Sequence, residues 1–275
     1  MHITQKLIDL KAYLLTLNSV LVAFSGGVDS SLLLKAASES LGKSNVMAVT
    51  ARSPLTPQAD LVQASCLALE IGATHRIIDS TELALEEVVS NPPDRCYHCK
   101  LHKFNELAQV ALQENIPWII EGSNASDLDD YRPGLTALKS LPNVRSPYLE
   151  LGITKAEIRD MARALGLSSW DQPSRACLAS RVPYGQRLDT ATLESIDQAE
   201  SALLAMGLKN FRVRHHGTVA RIEVAVEEMS EIMNPEAFQE ISTIVKACGF
   251  TYVTIDLDGY RTGSLNADLT IIRAE

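Results

Sequence analysis

Residues 20–32 read VLVAFSGGVDSSL: five apolar positions run into a serine and two adjacent glycines, and an amphipathic stretch begins at once. A buried strand that turns through glycines straight into a helix leaves few folds open. The turn needs residues tolerant of positive φ and without a Cβ, and the helix that follows must pack back over a sheet. Successive N–H groups in such a turn face inward and form a nest at the positive end of the helix, where an anion is favoured. Ser25 and Ser30 add hydroxyl donors on its flanks. No Gly-Lys-Ser/Thr closes the loop, so it is not a Walker A motif; Gly42-Lys43-Ser44 lies beyond the helix without the upstream glycine. Asp29 is out of place in a bare phosphate nest, and its two candidate roles are capping the helix and holding a metal ion on the phosphates. A tight turn without a ligand is the alternative.

Around this loop, short β-branched runs at 20–24, 46–50 and 74–79 alternate with amphipathic stretches at 30–41 and 57–71, the βαβαβ order of a parallel sheet. After a gap at 80–100 that carries Pro92 and Pro93, residues 101–115 read as a helix and 118–121 as another buried strand, so the sheet has at least four strands. Residues 122–147 read as a polar loop. Thr154-Lys155-Ala156-Glu157 is a capping box that opens a helix running to about Leu165. Residues 168–187 hold two prolines, a glycine and three arginines without apolar periodicity, which marks an ordered connecting loop. Beyond it come a helix at 191–206, strands at 211–215 and 219–226 around a turn at 216–218, a helix opened by Asn234-Pro235 and ended by Gly249, and a strand at 252–256. The expected architecture is α/β: a parallel-sheet domain over 1–170, a connecting loop at 171–187 and a smaller α+β domain over 188–275.

Charge and cysteine usage narrow the partners. Asp and Glu number 34 against 25 Lys and Arg, a formal net charge of −9, which argues against a surface built for nucleic acid. The N-terminal residues place apolar side chains at helical spacing but lack the apolar core and cleavage site of a signal peptide, and no later stretch is long enough to span a bilayer. Five cysteines, an odd number in a chain this long, do not make a secreted disulfide framework, so a reducing cytoplasm is expected.

Cys177 sits between Arg175 and Arg181, and nearby cations favour the nucleophilic thiolate; a small buried apolar residue is the alternative. Cys96 and Cys99 form a CxxC with His98 and His102 close by. No second CxxC completes a closed zinc site, and the setting is not thioredoxin-like, so the pair reads as structural or substrate-lining. Cys66, among Leu61, Val62, Leu67 and Leu69, and Cys248, near a helix end, read as packing.

Alternation puts Arg212 and Arg214 on one face of their strand and Phe211 and Val213 on the other, while Arg221 and Glu223 share a face opposite Ile222 and Val224. Such an arginine-rich face suits phosphate or carboxylate recognition, since guanidinium forks pair with both; a solvated outer face gives the same alternation. Glu200, Glu223 and Glu231 are candidate oxygen ligands for a divalent ion.

The run Ser25-Gly26-Gly27-Val28-Asp29-Ser30 resembles the SGGxDS signature of the PP-loop ATP pyrophosphatases. In that superfamily the loop holds the β,γ-pyrophosphate of ATP as leaving group while a substrate oxygen attacks the α-phosphate. Arg95-Cys96-Tyr97-His98-Cys99-Lys100, Glu121-Gly122-Ser123-Asn124, Ala176-Cys177-Leu178-Ala179-Ser180-Arg181, Arg212-Val213-Arg214-His215-His216-Gly217 and Asp258-Gly259-Tyr260-Arg261-Thr262-Gly263-Ser264-Leu265-Asn266 extend the resemblance over nearly the whole chain, to the LarE family. These are ATP-dependent sacrificial sulfur transferases that help make the nickel-pincer nucleotide of lactate racemase. The resemblance implies a PP-loop domain of the adenine nucleotide α hydrolase type, with a C-terminal domain for substrate binding and oligomerisation. It assigns ATP and Mg2+ as cofactors and pyridinium-3,5-biscarboxylic acid mononucleotide as substrate. Nucleotide contacts then fall on Ser25, Gly26, Gly27, Asp29, Ser30 and Gly122, and substrate contacts on Tyr97, Arg181, Arg212 and Arg214, the last two taking its phosphate. Glu200, Glu223 and Glu231 match the family's acidic metal region.

In the implied reaction a substrate carboxylate is adenylated, the Cys177 thiolate displaces AMP, and C–S cleavage leaves dehydroalanine in the protein and a thiocarboxylate product. Some relatives carry further cysteines in the donor segment and use an iron–sulfur cluster; here the segment holds Cys177 alone, which favours the sacrificial route. A homo-oligomer, with a hexamer as the candidate state, is also implied. The runner-up readings are a PP-loop tRNA thiolase or amidase and a non-catalytic adenine-nucleotide sensor, the last of which needs no thiol.

Overall fold

The computed structural model describes residues 2–129, 133–173 and 176–261; Arg175 and the motif residues Thr262 to Asn266 lie outside them. They fall into two compact units, one of residues 1–53, 59–82 and 94–175, the other of 54–58, 83–93 and 176–275.

In chain order the first half contains α1 (His2–Leu15), β1 (Val20–Ala23), α2 (Val28–Leu41), β2 (Val46–Arg52), α3 (Gln58–Ile71), β3 (Thr74–Asp79), α4 (Glu86–Val89), α5 (Arg95–Gln113), β4 (Trp118–Ile120), α6 (Pro133–Lys139), β5 (Val144–Arg145), α7 (Pro147–Glu150) and α8 (Lys155–Ala164). The five strands form one parallel sheet in the order β3-β2-β1-β4-β5. Both faces of β1 are covered, which is why its sequence is continuously apolar rather than alternating. Val20 and Val22 join Leu10 and Leu14 of α1, Leu32 and Leu33 of α2, and Ile158 and Met161 of α8 in one core, while Leu21 packs with Val49, Phe104, Leu107 and Ile119 in another. The chain moves outward from β1 through β2 to β3 and then returns to the other side of β1 with β4. That reversal creates a crevice at the carboxyl ends of β1 and β4, the place where open α/β sheets bind ligands.

Three expectations about this half change. The stretch 122–147, read as a polar loop, contains a 3₁₀ turn at Ala125–Asp129, the helix α6 and the strand β5. A two-residue strand and a seven-residue helix are too short to show a period. Cys66, read as packing, is exposed, as are Val62 and Leu69, whereas Leu61, Ala64, Leu67, Ala68 and Ile71 are buried. α3 is apolar on most of its circumference, so spacing alone does not say which stripe faces the core. The helix placed at 101–115 begins earlier, at Arg95, directly after Pro92-Pro93, so that Cys96 and Cys99 lie in its first turns.

The second unit carries α9 (Thr190–Ala205), β6 (Phe211–His216), β7 (Val219–Val224), α10 (Met229–Ile232), α11 (Pro235–Ala247) and β8 (Tyr252–Ile255). Asp189 caps α9 by accepting from the Thr192 N–H at 2.8 Å, and Asn234 caps α11 by accepting from Ala237 at 2.9 Å. β6 and β7 form an antiparallel hairpin, and α11 returns the chain to place β8 parallel to β7. The segments 54–58 and 83–93 belong to this unit through main-chain bonds: the Leu178 N–H donates to the Leu55 carbonyl at 2.9 Å, and the Leu188 N–H to that of Val89 at 2.8 Å. The connecting loop is therefore ordered where it carries Cys177, with Leu178, Ala179 and Val182 buried. Among the described residues no helix is long and apolar enough to cross a membrane.

The two sides of α3 should respond oppositely to substitution. Leu67→Ala should destabilise the protein by about 2–5 kcal/mol through the cavity it leaves, and Cys66→Ser by no more than about 0.5 kcal/mol, both read from thermal or urea unfolding.

Candidate active site

The glycine loop of the first unit leaves β1 at the crevice. Gly26 has φ +74°, and a Cβ there would stand 2.8 Å from the Ala64 Cα of α3, so both its conformation and its surroundings require glycine. Gly27 occupies the cap position of α2 with no side chain to cap it. The hydroxyls on the flanks tie the loop together: Ser25 and Ser30 Oγ lie 3.1 Å apart, the Ser25 N–H donates to Ser30 Oγ at 3.3 Å, and the Gly27 N–H donates to Ser25 Oγ at 3.3 Å. Ser30 Oγ also donates to the Gly27 carbonyl at 3.1 Å. The loop thus holds main-chain N–H groups and two hydroxyls at the positive end of a fourteen-residue helix, a fitting cradle for a phosphate group.

Asp29, in the first turn of α2, does not cap it; its side chain reaches the next element instead. Lys155 Nζ, at the start of α8, donates to Asp29 Oδ2 at 2.5 Å, and Asn124 Nδ2 to Oδ1 at a long 3.4 Å. Burial pushes the Asp29 carboxyl above the usual carboxylate range, and the Lys155 ammonium opposes that shift. With only one long donor, Oδ1 keeps acceptor capacity and fits a Mg2+ ion carried on phosphates. The fully buried Tyr148 donates its hydroxyl to the Asp29 carbonyl at 2.9 Å and fixes the backbone beneath the carboxylate.

Gly122 follows β4 and meets this turn from the other side of the crevice. A Cβ on Gly122 would fall 2.9 Å from the Asp29 Cβ and 3.3 Å from the Ser30 nitrogen. It is a contact of glycine with the loop itself. Beside it the buried Glu121 accepts from Lys100 at 3.2 Å, Ser123 at 2.7 Å and Ser146 at 2.5 Å. Lys100 belongs to α5, so this carboxylate ties β4 to the helix whose first two turns carry Cys96, Tyr97 and Cys99. His98 pairs with Asp94 at 3.4 Å and His102 with Glu106 at 3.0 Å. The CxxC region accordingly has its histidines engaged by carboxylates.

In the second unit, Cys177 is half-buried at the start of a 3₁₀ turn, Leu178–Arg181. Its carbonyl accepts from the Ser180 N–H at 3.0 Å, Ser180 Oγ at 2.8 Å and Arg181 Nη1 at 3.0 Å, and Arg181 Nη1 also reaches the Ala176 carbonyl at 2.5 Å. The guanidinium is 2% exposed and forks onto Glu200, Nε to Oε1 at 2.9 Å and Nη2 to Oε2 at 2.7 Å. Arg214 adds a second tie, donating to the Ser180 carbonyl at 2.6 Å and to Glu223 Oε2 at 2.7 Å. Arg212 lies over the Tyr260 ring at 4.7 Å. Burial, followed by the neighbouring Arg181 charge, pulls its pKa below the ordinary guanidinium value.

The alternation along β6 thus has a buried outcome, not a solvated one: Arg212, Arg214 and Glu223 are each less than a tenth exposed, with Arg212 opposite Glu223 and Arg214 opposite Arg221 in the ladder. Arg181, Arg212 and Arg214 come together, with Glu200 and Glu223 among them. The same contacts change the reading of the acidic residues. Both oxygens of Glu200 are taken by Arg181, and those of Glu223 by Arg214 and Arg221. Glu231 stands apart in α10, and the described residues hold no group of three His, Cys, Asp or Glu side chains placed to share a metal ion. A trio of Glu200, Glu223 and Glu231 is therefore not assembled, because arginines occupy two of its members.

A family model described as NAD synthase matches residues 4–109, the span from α1 through the glycine loop into α5. The pyridinium-3,5-bisthiocarboxylic acid mononucleotide synthase of Lactiplantibacillus plantarum is 35% identical over 262 residues, covering 95% of this chain and 94% of that protein. The chain belongs to the LarE family. It is an enzyme of the PP-loop ATP pyrophosphatase group. An uncharacterized protein of Synechocystis is 39% identical over 96% of this chain and 98% of its own length, and one of Methanocaldococcus jannaschii is 29% identical over 88% and 91%.

The contacts of Lys155, Asn124 and Tyr148 with Asp29 are not visible in the sequence, where Asn124 stands only in a family motif and Lys155 only in a capping box. Lys155 did carry a signal: a cation in the first turn of a helix opposes the helix dipole and asks for a reason. The arginine ties make a testable demand on stability. Arg181→Met, which strands Glu200 in a mostly buried position, should cost about 3–5 kcal/mol, measured by thermal unfolding, and Arg181→Met with Glu200→Leu should recover much of that loss.

Proposed function

We propose that this LarE-family enzyme converts pyridinium-3,5-biscarboxylic acid mononucleotide to the thiocarboxylate precursor of a nickel-pincer nucleotide, with its own Cys177 as the sulfur source. The relative from Lactiplantibacillus plantarum is named for the bisthiocarboxylic product. What carries the reading on this chain is the Cys177 turn, whose Cys177 and Ser180 carbonyls are held by buried arginines: adenylation is common to PP-loop enzymes, whereas a half-buried cysteine on a turn fixed in this way adds a nucleophile to it.

A carboxylate is a poor electrophile, so it first attacks the α-phosphorus of ATP, releasing pyrophosphate and forming an acyl adenylate. The glycine loop and the α2 N-terminus bind the departing pyrophosphate, whose charge the N–H groups stabilise. Asp29 would hold a Mg2+ ion, which when bound would supply further charge neutralisation. The Cys177 thiolate then attacks the acyl carbon; the C–S bond forms, the C–O bond to AMP breaks, and a thioester remains. A base removes the Cα proton of residue 177, the Cβ–S bond breaks, and its electrons leave on the thiocarboxylate, so the protein retains dehydroalanine. Arg212 and Arg214 take the substrate phosphate, with Arg181 and Tyr97 as further substrate contacts. The reaction belongs in the cytoplasm, as a step in lactate racemase maturation, and is carried out by a homo-oligomer.

Incubation with ATP and the pyridinium dicarboxylate should release pyrophosphate in proportion to the enzyme and lower the mass of the Cys177 peptide by roughly 34 Da, one H₂S. Product formed over many turnovers on a protein of unchanged mass would overturn the sacrificial step. Cys177→Ala should still release pyrophosphate and yield no thiocarboxylate by mass spectrometry.

A further inference from the structure

We infer that Lys155 is a positioning residue of the nucleotide loop: its ammonium, carried across from α8, fixes the Asp29 carboxylate and cancels its charge beside the phosphate nest. The inference rests on the reading of that loop as the ATP site.

Lys155 is the first residue of α8, and its side chain runs to the first turn of α2. Both places are positive ends of helices, where a cation is disfavoured. The carboxylate nearest in sequence does not explain it, because Glu157 is used by the cap, accepting from the Thr154 N–H at 2.9 Å, and faces Lys6 at 3.8 Å. The ammonium is instead held by Asp29 at 2.5 Å, across 126 positions of sequence.

The arm that carries it is rigid at its base. Ile158, Met161 and Ala162 of α8 are fully buried in the same core as Leu32 and Leu33 of α2, and the Lys155 N–H is bonded to Ser126 Oγ at 3.2 Å. Asp29 is confined on its remaining sides by Gly122 against its Cβ, by Asn124 at Oδ1 and by Tyr148 on its carbonyl. An unpaired carboxylate at this spot would repel a triphosphate arriving at the nest. Paired with Lys155 it is neutral overall, so Asp29 keeps an oxygen for a ligand without opposing the anion.

The test is a double-mutant cycle on the full chain, read as the single-turnover rate of pyrophosphate release with ATP and the pyridinium dicarboxylate. Lys155→Met should slow the saturated rate by about tenfold or more while shifting the half-saturating ATP concentration less, and Lys155→Arg should restore most of the rate. Adding Lys155→Met to Asp29→Asn should change the rate by no more than about twofold. Thermal midpoints measured in parallel separate loss of folding from loss of positioning, and the arginine variant keeps the cycle readable if the methionine variant unfolds. An active wild type in which the two substitutions multiply independently, or in which Lys155→Met is as fast as wild type, overturns the role of Lys155. A wild type that releases no pyrophosphate overturns the nucleotide reading and the inference with it.

Discussion

The closeness of backbone to backbone at the carboxyl ends of β1 and β4 is the constraint on which the rest of the first unit depends. Gly26 admits no Cβ because α3 lies against it, and Gly122 admits none because Asp29 does. Two elements far apart in sequence are thus pressed on the stretch from Gly26 to Ser30, where the loop passes into α2. The glycine loop is therefore a tightly packed turn. Its conformation is held by its own serine hydroxyls and by the elements packed against it.

The second unit solves a different problem. Arg181, Arg212 and Arg214 are almost wholly buried, and removing such charges from water is costly even when they are paired. The Arg181 fork on Glu200 and the Arg214 contact with Glu223 recover part of that cost but make a poor stabilising device compared with an apolar core of equal volume. What they do give is geometry: the same guanidinium groups that satisfy the glutamates also hold the Ala176, Cys177 and Ser180 carbonyls. The thiol-bearing turn is set by positive charge, in a chain of net charge −9.

Much of this was legible in the residues. The runs that form β1 and β2, with the glycine loop, specified a parallel sheet because strands covered on both faces are continuously apolar, and the cap signals at Thr154 and Asn234 are short-range chemistry that the structure reproduces. What was not legible depends on partners distant in sequence. β5 is two residues long and exists because β4 offers it an edge. Cys66 lies on an apolar helix whose buried stripe is chosen by the sheet beneath. The arginine partners of Glu200 and Glu223 come from other elements, so no local pattern shows them. Lys155 belongs to the same class, since its capping box is visible locally and its target 126 positions away is not.

The short segments 54–58 and 83–93 leave the first half of the chain to join a unit whose bulk lies after residue 176. During synthesis they emerge long before the strands and helices that complete them, so their main-chain groups wait unpaired while the first sheet assembles around the chain on either side. Contacts of this kind are slow to close. The chain also cannot be cut once to yield two self-sufficient pieces: a truncation near residue 175 would leave both segments without the partners at Leu178 and Leu188 that hold them. Interleaving makes the two units inherit each other's folding, so the protein is made and lost as a single object.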